Sequence, residues 1–271
     1  MRIFVATLVL ALTAVGQLSA QPFVIIDNYN QTSFNRTATA GTPSDFQYDT
    51  GLSTSNTMGG SRISRAHFVS GGGGGDQLNV NNTANPGSFE VSCSTTASGH
   101  FHSYYGYSAY DTSTEDPVAV THSFTDMSTN VQGVLGSPLV NVAIDFQTLD
   151  HPMTLIFKIV TNHTGGGQTV SVVSKPVAAQ LTPFNVTFTN AELVAGITSG
   201  PGLNFTDVDQ VILQSADLPG GTDFLADNFR FFISVPEPTT YALIGVSSLV
   251  IGAGAYLQRR RQSKLANSSI G

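Results

Sequence analysis

Leu139-Val-Asn-Val-Ala-Ile-Asp-Phe-Gln147, then Thr-Leu-Asp150-His-Pro152, then Met153-Thr-Leu-Ile-Phe-Lys-Ile159 is the stretch that sets the structural class of this chain. Two short apolar or alternating runs, separated by Asp and Pro, carry the period of two that half-buried strands require and none of the 3.6 period of a helix. The same grammar extends in both directions. Runs of this kind fall at 23–26, 65–69, 77–80, 89–93, 100–107, 118–124, 169–173, 184–188, 208–214 and 227–234, set apart by Gly, Pro, Asn and Asp. Twelve short strands with no sustained helical pattern predict an all-β body, a two-sheet β-sandwich and specifically a jelly roll, in which two sheets about 10 Å apart hide each other's apolar faces.

Composition agrees with that class and narrows the function. Of 271 residues 41% are hydrophobic and only 11% charged, against about 25% charged in average globular chains. Between residues 21 and 235 there are six basic and 17 acidic residues, a net charge of −11. Such a body lacks the Lys/Arg needed to displace counterions from phosphates, so nucleic acid and anionic lipid surfaces are excluded as expected partners. The single cysteine, Cys93, rules out an internal disulfide framework. Lying in the alternating run 89–93 with no Cys/His signature around it, it reads as a small core residue.

The two ends read differently from the body. Arg2, the apolar run 3–15 and Leu18-Ser-Ala20 have the order of a secretory signal peptide over 1–20, too short for a spanning helix. At the other end an uncharged run, 239–258, approaches bilayer thickness, is framed by Tyr241 and Tyr256, and is followed by Arg259, Arg260 and Arg261. An arginine at mid-bilayer costs at least about 2.5 kcal/mol. The triplet therefore sets the topology: body outside, tail 262–271 inside. Immediately before the apolar run stands Val235-Pro236-Glu237-Pro238, whose prolines keep it extended.

This order of Pro-Glu-Pro, transmembrane helix and basic cluster over 235–261 resembles the PEP-CTERM sorting signal of Gram-negative bacteria. The resemblance implies that Pro236, Glu237 and Pro238 are recognised by an exosortase, and that the exported protein is held at the cell envelope or surface and released after processing. The ten-residue tail after the arginines is longer than usual for that signal. Seven Asn-x-Ser/Thr triplets occur, which composition alone accounts for.

Phe23-Val-Ile-Ile-Asp27-Asn28 and Thr222-Asp223-Phe-Leu-Ala-Asp227-Asn228-Phe-Arg-Phe231 resemble the opening and closing strands of galactose-binding-like and carbohydrate-binding-module jelly rolls. That resemblance implies a structural calcium near the paired termini, with Asp27 and Asp227 as candidate ligands, since carboxylate oxygens suit a hard cation. Read on their own, the two Asp-Asn pairs equally fit strand caps or Asx turns.

Of the six histidines only His100-Phe-His102 has suggestive spacing, because i and i+2 share one face of a strand. With Tyr104, Tyr105, Tyr107 and Tyr110 following, 100–110 is a candidate aromatic strand for stacking on sugar rings, although the chain has no Trp. Gly71 to Gly75 lack the Lys-Ser/Thr of a phosphate loop and read as a flexible loop. Glu115-Asp116 and Asp207-x-Asp209 are the nearest paired carboxylates, each beside a turn, and Ser174, Ser215 and Ser234 sit in no nucleophile elbow. The sequence therefore predicts a non-catalytic exported protein that binds polysaccharide. The alternative is a glycan-active hydrolase on the same fold, which would need two facing carboxylates in one groove.

Overall fold

A computed structural model describes residues 22–71, 77–81, 87–106, 127–162 and 167–234. The signal peptide, the predicted strand 118–124, Tyr107, Tyr110, Glu115-Asp116, the Pro236-Glu237-Pro238 motif, the helix 239–258, Arg259 to Arg261 and the tail lie outside the described residues. Among the described residues no helix is long and apolar enough to cross a membrane.

Two antiparallel sheets face each other. The first runs in the order β11 (Phe184–Phe188), β8 (Val140–Leu149), β14 (Asp223–Ile233), β6 (Phe89–Cys93), β5 (Gln77–Asn81), β2 (Asn35–Thr39), with β1 (Phe23–Asp27) also paired to β14. The second runs β12 (Ile197–Ser199), β10 (Thr169–Val177), β9 (Met153–Thr161), β13 (Val208–Ser215), β7 (Ser98–Tyr105), β4 (Ser61–Ser70), β3 (Ser44–Thr50). The chain crosses repeatedly between them, giving the expected two-sheet sandwich. Two short helices, α1 (Val131–Leu135) and α2 (Asn190–Ala195), join strands at one end. A capping box sets the start of α2: the Thr189 side chain accepts from the Glu192 amide while the Glu192 carboxylate accepts from the Thr189 amide.

Alternation along each strand delivers the core. Phe89 and Phe224 from the first sheet meet Phe101 from the second with ring centroids 5.2 to 5.8 Å apart at steep angles. Phe157 of β9 reaches across to Phe188, tilted by 32° at 5.4 Å, and to Phe229, edge-on at 6.0 Å. Such edge-to-face pairs add roughly 0.5–1.5 kcal/mol each beyond area burial. Cys93 lies in this core as a buried free thiol.

The closing strand β14 has two partners on one side. Its first half, Asp223 to Ala226, pairs with β6, and its second half, from Phe229, pairs with β1. Between them the register to β8 shifts, and Asn228 sits at φ 45°, a left-handed conformation that Asn tolerates better than most residues. The Asp227-Asn228 pair is thus the bulge where the strand changes neighbours. The sequence reading missed β2, β3 and β12. β2 and β3 (Asn-Arg-Thr-Ala-Thr and Ser-Asp-Phe-Gln-Tyr-Asp-Thr) lie at sheet edges and carry polar residues at inward positions, which erases the apolar alternation.

Candidate functional site

The outer face of the second sheet is built by the residues that alternate away from the core. Along β7, Phe101 and Tyr105 point into the sandwich, which leaves His100, His102 and Tyr104 on the outer face. The register fixes their neighbours. Ser44, His67 and His100 lie side by side; next to them run Phe46, Arg65, His102, Gln214, Ile156 and Ser174; then Tyr48, Ile63, Tyr104, Ile212, Lys158 and Val172. At about 4.8 Å per strand, the second and third rows cross six strands and extend about 24 Å. The shared face expected of His100 and His102 is present, and β4 extends it with Arg65 and His67, which no local signal in the sequence connected to them.

The aromatic and basic side chains form a ladder. The His67 and His100 rings stack at 5.5 Å and 14°, and the His102 ring meets His100 edge-on at 5.8 Å. His102 Nδ1 lies 2.5 Å from the Tyr104 hydroxyl. Arg65 donates from Nε to Ser44 Oγ at 2.8 Å, and its Nη2 lies 3.0 Å from His67 Nδ1. His100 Nδ1 is 3.2 Å from a carboxylate oxygen of the exposed Asp217. Within the third row, Ile63, Tyr104 and Ile212 form a separate apolar cluster against which Phe46 packs.

Burial pushes His102 well below the ordinary imidazole range, and the nearby Arg65, His100 and His67 add to the shift. His100 moves the same way, chiefly through burial, with Asp217 opposing. Both rings are therefore neutral near pH 7, each with one N–H donor and one acceptor. The centre of the face is buried, including Arg65, His102, Gln210 and Gln214, whereas Phe46, Tyr48, His100 and Ser174 reach solvent. Chemically its solvent-reaching rim offers the Phe46 and Tyr48 rings, the His100 imidazole and the Ser174 hydroxyl, while Arg65, His67 and His102 are buried beside them. Among the described residues none of its row positions is an Asp or Glu, and the carboxylate of Asp217 borders it beside His100.

The predicted calcium ligands are not brought together as a site. Asp27 is buried between the sheets, and the cation beside it is Arg62: Nη1 donates to Asp27 Oδ2 at 2.9 Å, while Nη2 donates to Asp49 Oδ2 at 3.0 Å, the Gln31 carbonyl and Thr32 Oγ1. The Tyr29 amide and the Tyr105 hydroxyl complete the shell of Asp27. The Arg62 guanidinium also lies 4.7 Å from the Phe34 ring centroid. Asp227 is on the solvent side, accepting from Gln147 and Asn228. At Asp27 the structure shows an internal ion pair with Arg62. Among the described residues no cluster of three or more His, Cys, Asp or Glu side chains could hold a metal. Asp209 is buried and Asp207 partly so, at the start of β13, away from the rows above.

No family model and no curated protein matches the chain. Solved structures do show similarity. The family 11 carbohydrate-binding module from Clostridium thermocellum, in complex with a β-1,3-1,4-mixed-linked tetrasaccharide, is 13% identical with a TM-score of 0.36, over 80% of this chain and 99% of that one. TmCBM61 in complex with β-1,4-galactotriose is 9% identical with a TM-score of 0.25, over 74% and 88%. The agarase AgWH50C is 12% identical with a TM-score of 0.32, over 63% of this chain and 22% of that enzyme. Similarity of that strength assigns no site and no ligand to this chain.

Proposed function

We propose that the chain is an exported, envelope-anchored protein whose β-sandwich binds polysaccharide without cleaving it. The observation that carries this reading is the rim of the second sheet's outer face. There Phe46 and Tyr48 alternate outward from the edge strand beside the His67, His100 and Arg65 ladder, and no row position carries a carboxylate. Aromatic faces supply apolar contact to the flat side of a sugar ring, and the neutral His100 imidazole and the Ser174 hydroxyl at the rim match hydroxyls that both donate and accept. A retaining or inverting glycosidase needs two carboxylates flanking one bond, and among the described residues the rows of this face carry none. The jelly-roll fold, the signal peptide over 1–20, the anchor 239–258 and exosortase recognition at Pro236, Glu237 and Pro238 belong to the same proposal and rest on the sequence.

Retention of the purified full chain on insoluble mixed-linked β-glucan and on β-1,4-galactan tests the binding. Tyr48→Ala and Phe46→Ala are each expected to weaken retention about 2- to 10-fold, the equivalent of about 0.5–1.5 kcal/mol per aromatic contact. His151→Ala, exposed and remote from the rows, serves as control. Retention unchanged in both aromatic variants, or absent from the parent chain, overturns the reading. Deleting Pro236 to Pro238 and fractionating cells tests the sorting: unchanged distribution and unchanged tail processing would refute it.

A further inference from the structure

The chain enters the sandwich at β1 and leaves it at β14 on the same end. Phe23 pairs with Phe232, and Ile233 pairs with Val140 at the start of β8. α2 follows the end of β11, and Asn190 donates from its amide to the Asn141 side chain and from Nδ2 to the Pro138 and Val140 carbonyls, so α2 closes the same end. α1 leads into β8 there as well.

This end is unusually apolar on its surface. Of seven large hydrophobic side chains exposed among the described residues, four belong to it: Phe23 (53%), Val134 (66%), Leu139 (64%) and Val194 (52%). Among the described residues the opposite end, where β4 finishes and Leu149 of β8 bridges to Gln180, has Val69 and Leu181. Single exposed apolar residues need no explanation, but concentration on one end marks an interaction surface.

We infer that this end rests on the lipid bilayer, with Phe23, Val134, Leu139 and Val194 seated in its interface. The inference rests on the proposed C-terminal anchor. Six chain steps separate Ile233 from Thr239 at the start of the apolar run, and at no more than about 3.6 Å per step the gap cannot exceed about 22 Å. The headgroup layer on each side is itself roughly 5–8 Å thick. A linker of that length lets the end of the sandwich lie against the membrane. Side chains seated about 5–10 Å into the headgroup boundary leave water there, as amphipathic surface segments do. The body's net charge of −11 predicts that apolar contact, not lipid charge, holds it.

The full chain reconstituted into phosphatidylcholine vesicles containing brominated lipid tests this, with an environment-sensitive fluorophore on Leu139→Cys, Val194→Cys or Leu181→Cys. Cys93 is buried, and the chain without an added cysteine controls for its labelling. The contact predicts quenching at positions 139 and 194 at least about twofold that at 181, in keeping with interfacial depth. If the chain floats with the vesicles but quenching is equal at all three positions, the docking fails while the anchor stands. If the chain does not float, the anchor fails and the docking with it.

Discussion

Replacing Arg62 by alanine tests whether the interior ion cluster, in place of a metal, ties the two sheets together. Arg62 is fully buried and pairs with Asp27 of the first sheet and Asp49 of the second. Its loss leaves Asp27 with only neutral donors, the Tyr29 amide and the Tyr105 hydroxyl among them, inside a low-dielectric core. Breaking a buried pair by removing one partner costs about 3–5 kcal/mol, and the involvement of two carboxylates and the Phe34 ring places Arg62→Ala toward the top of that range. For a domain of this size 1 kcal/mol corresponds to about 2–4 °C, so the thermal midpoint is expected to fall by about 6–20 °C. Arg62→Met combined with Asp27→Asn and Asp49→Asn removes the charges together, and such neutralised clusters are often as stable as the original. The triple variant should therefore recover at least half of the loss. Circular-dichroism melts with and without EDTA make the measurement, and the parent protein should melt identically in both. A fall below about 2 °C for Arg62→Ala, or a triple variant no better than the single one, would show that the pair is not what holds this junction; a parent melt lowered by EDTA would restore the metal.

Two further outcomes follow from local geometry. His102 has a folded pKa well below 6.5, so the unfolded chain binds the extra proton first. Stability is then fully present above pH 6.5 and falls as the pH drops below it, by up to about 1.4 kcal/mol per pH unit for one such group. Urea unfolding at pH 7, 6 and 5 should show that slope, with His102→Gln flattening it, and a flat profile in the parent would contradict the buried neutral imidazole. At Gly106 (φ 83°) a Cβ would stand 2.2 Å from the Asp209 carbonyl oxygen, whereas at Gly136 (φ 69°) it would meet nothing within 4 Å. Gly136→Ala should cost only the left-handed strain of about 1–2 kcal/mol, and Gly106→Ala clearly more; equal melting temperatures for the two would refute the clash.

What the sequence discloses depends on how far apart the deciding residues lie. β1, β6, β9 and β11 were readable because each carries its own alternation or apolar run, and His100 and His102 because their relation is contained in two residues. β3 was not, since its inward Asp45 and Asp49 are stabilised by Arg36 and Arg62, partners that local pattern cannot supply. Asp27 shows the same limit more sharply. An Asp-Asn at the end of an opening strand suits calcium or an arginine equally, and the choice is made by Arg62, 35 positions away, which reads locally as one more polar residue at a strand's start. The role of Asp227-Asn228 likewise follows from β14 changing partners, which is a property of the sheet and not of the dipeptide.

The proposed polysaccharide rim and the apolar end lie on surfaces that can be occupied together. Strands run from the end bearing Phe23 and Leu139 toward the end bearing Leu181, so the outer face of the second sheet stands along the strand direction while the apolar surface caps it. From Tyr104 to His100 the ladder climbs four residues, about 13 Å at strand rise, away from the capped end. His67 and His100 therefore lie toward the end opposite the apolar surface, and Tyr48 nearer to that surface. On the proposed docking, the solvent-reaching rim of Phe46, Tyr48 and His100 lies on a different surface from the apolar end. Binding and anchoring then act through separate residues. Loss of Tyr48 should leave vesicle contact intact, and loss of Leu139 should leave polysaccharide retention intact, because no side chain is asked to serve both surfaces.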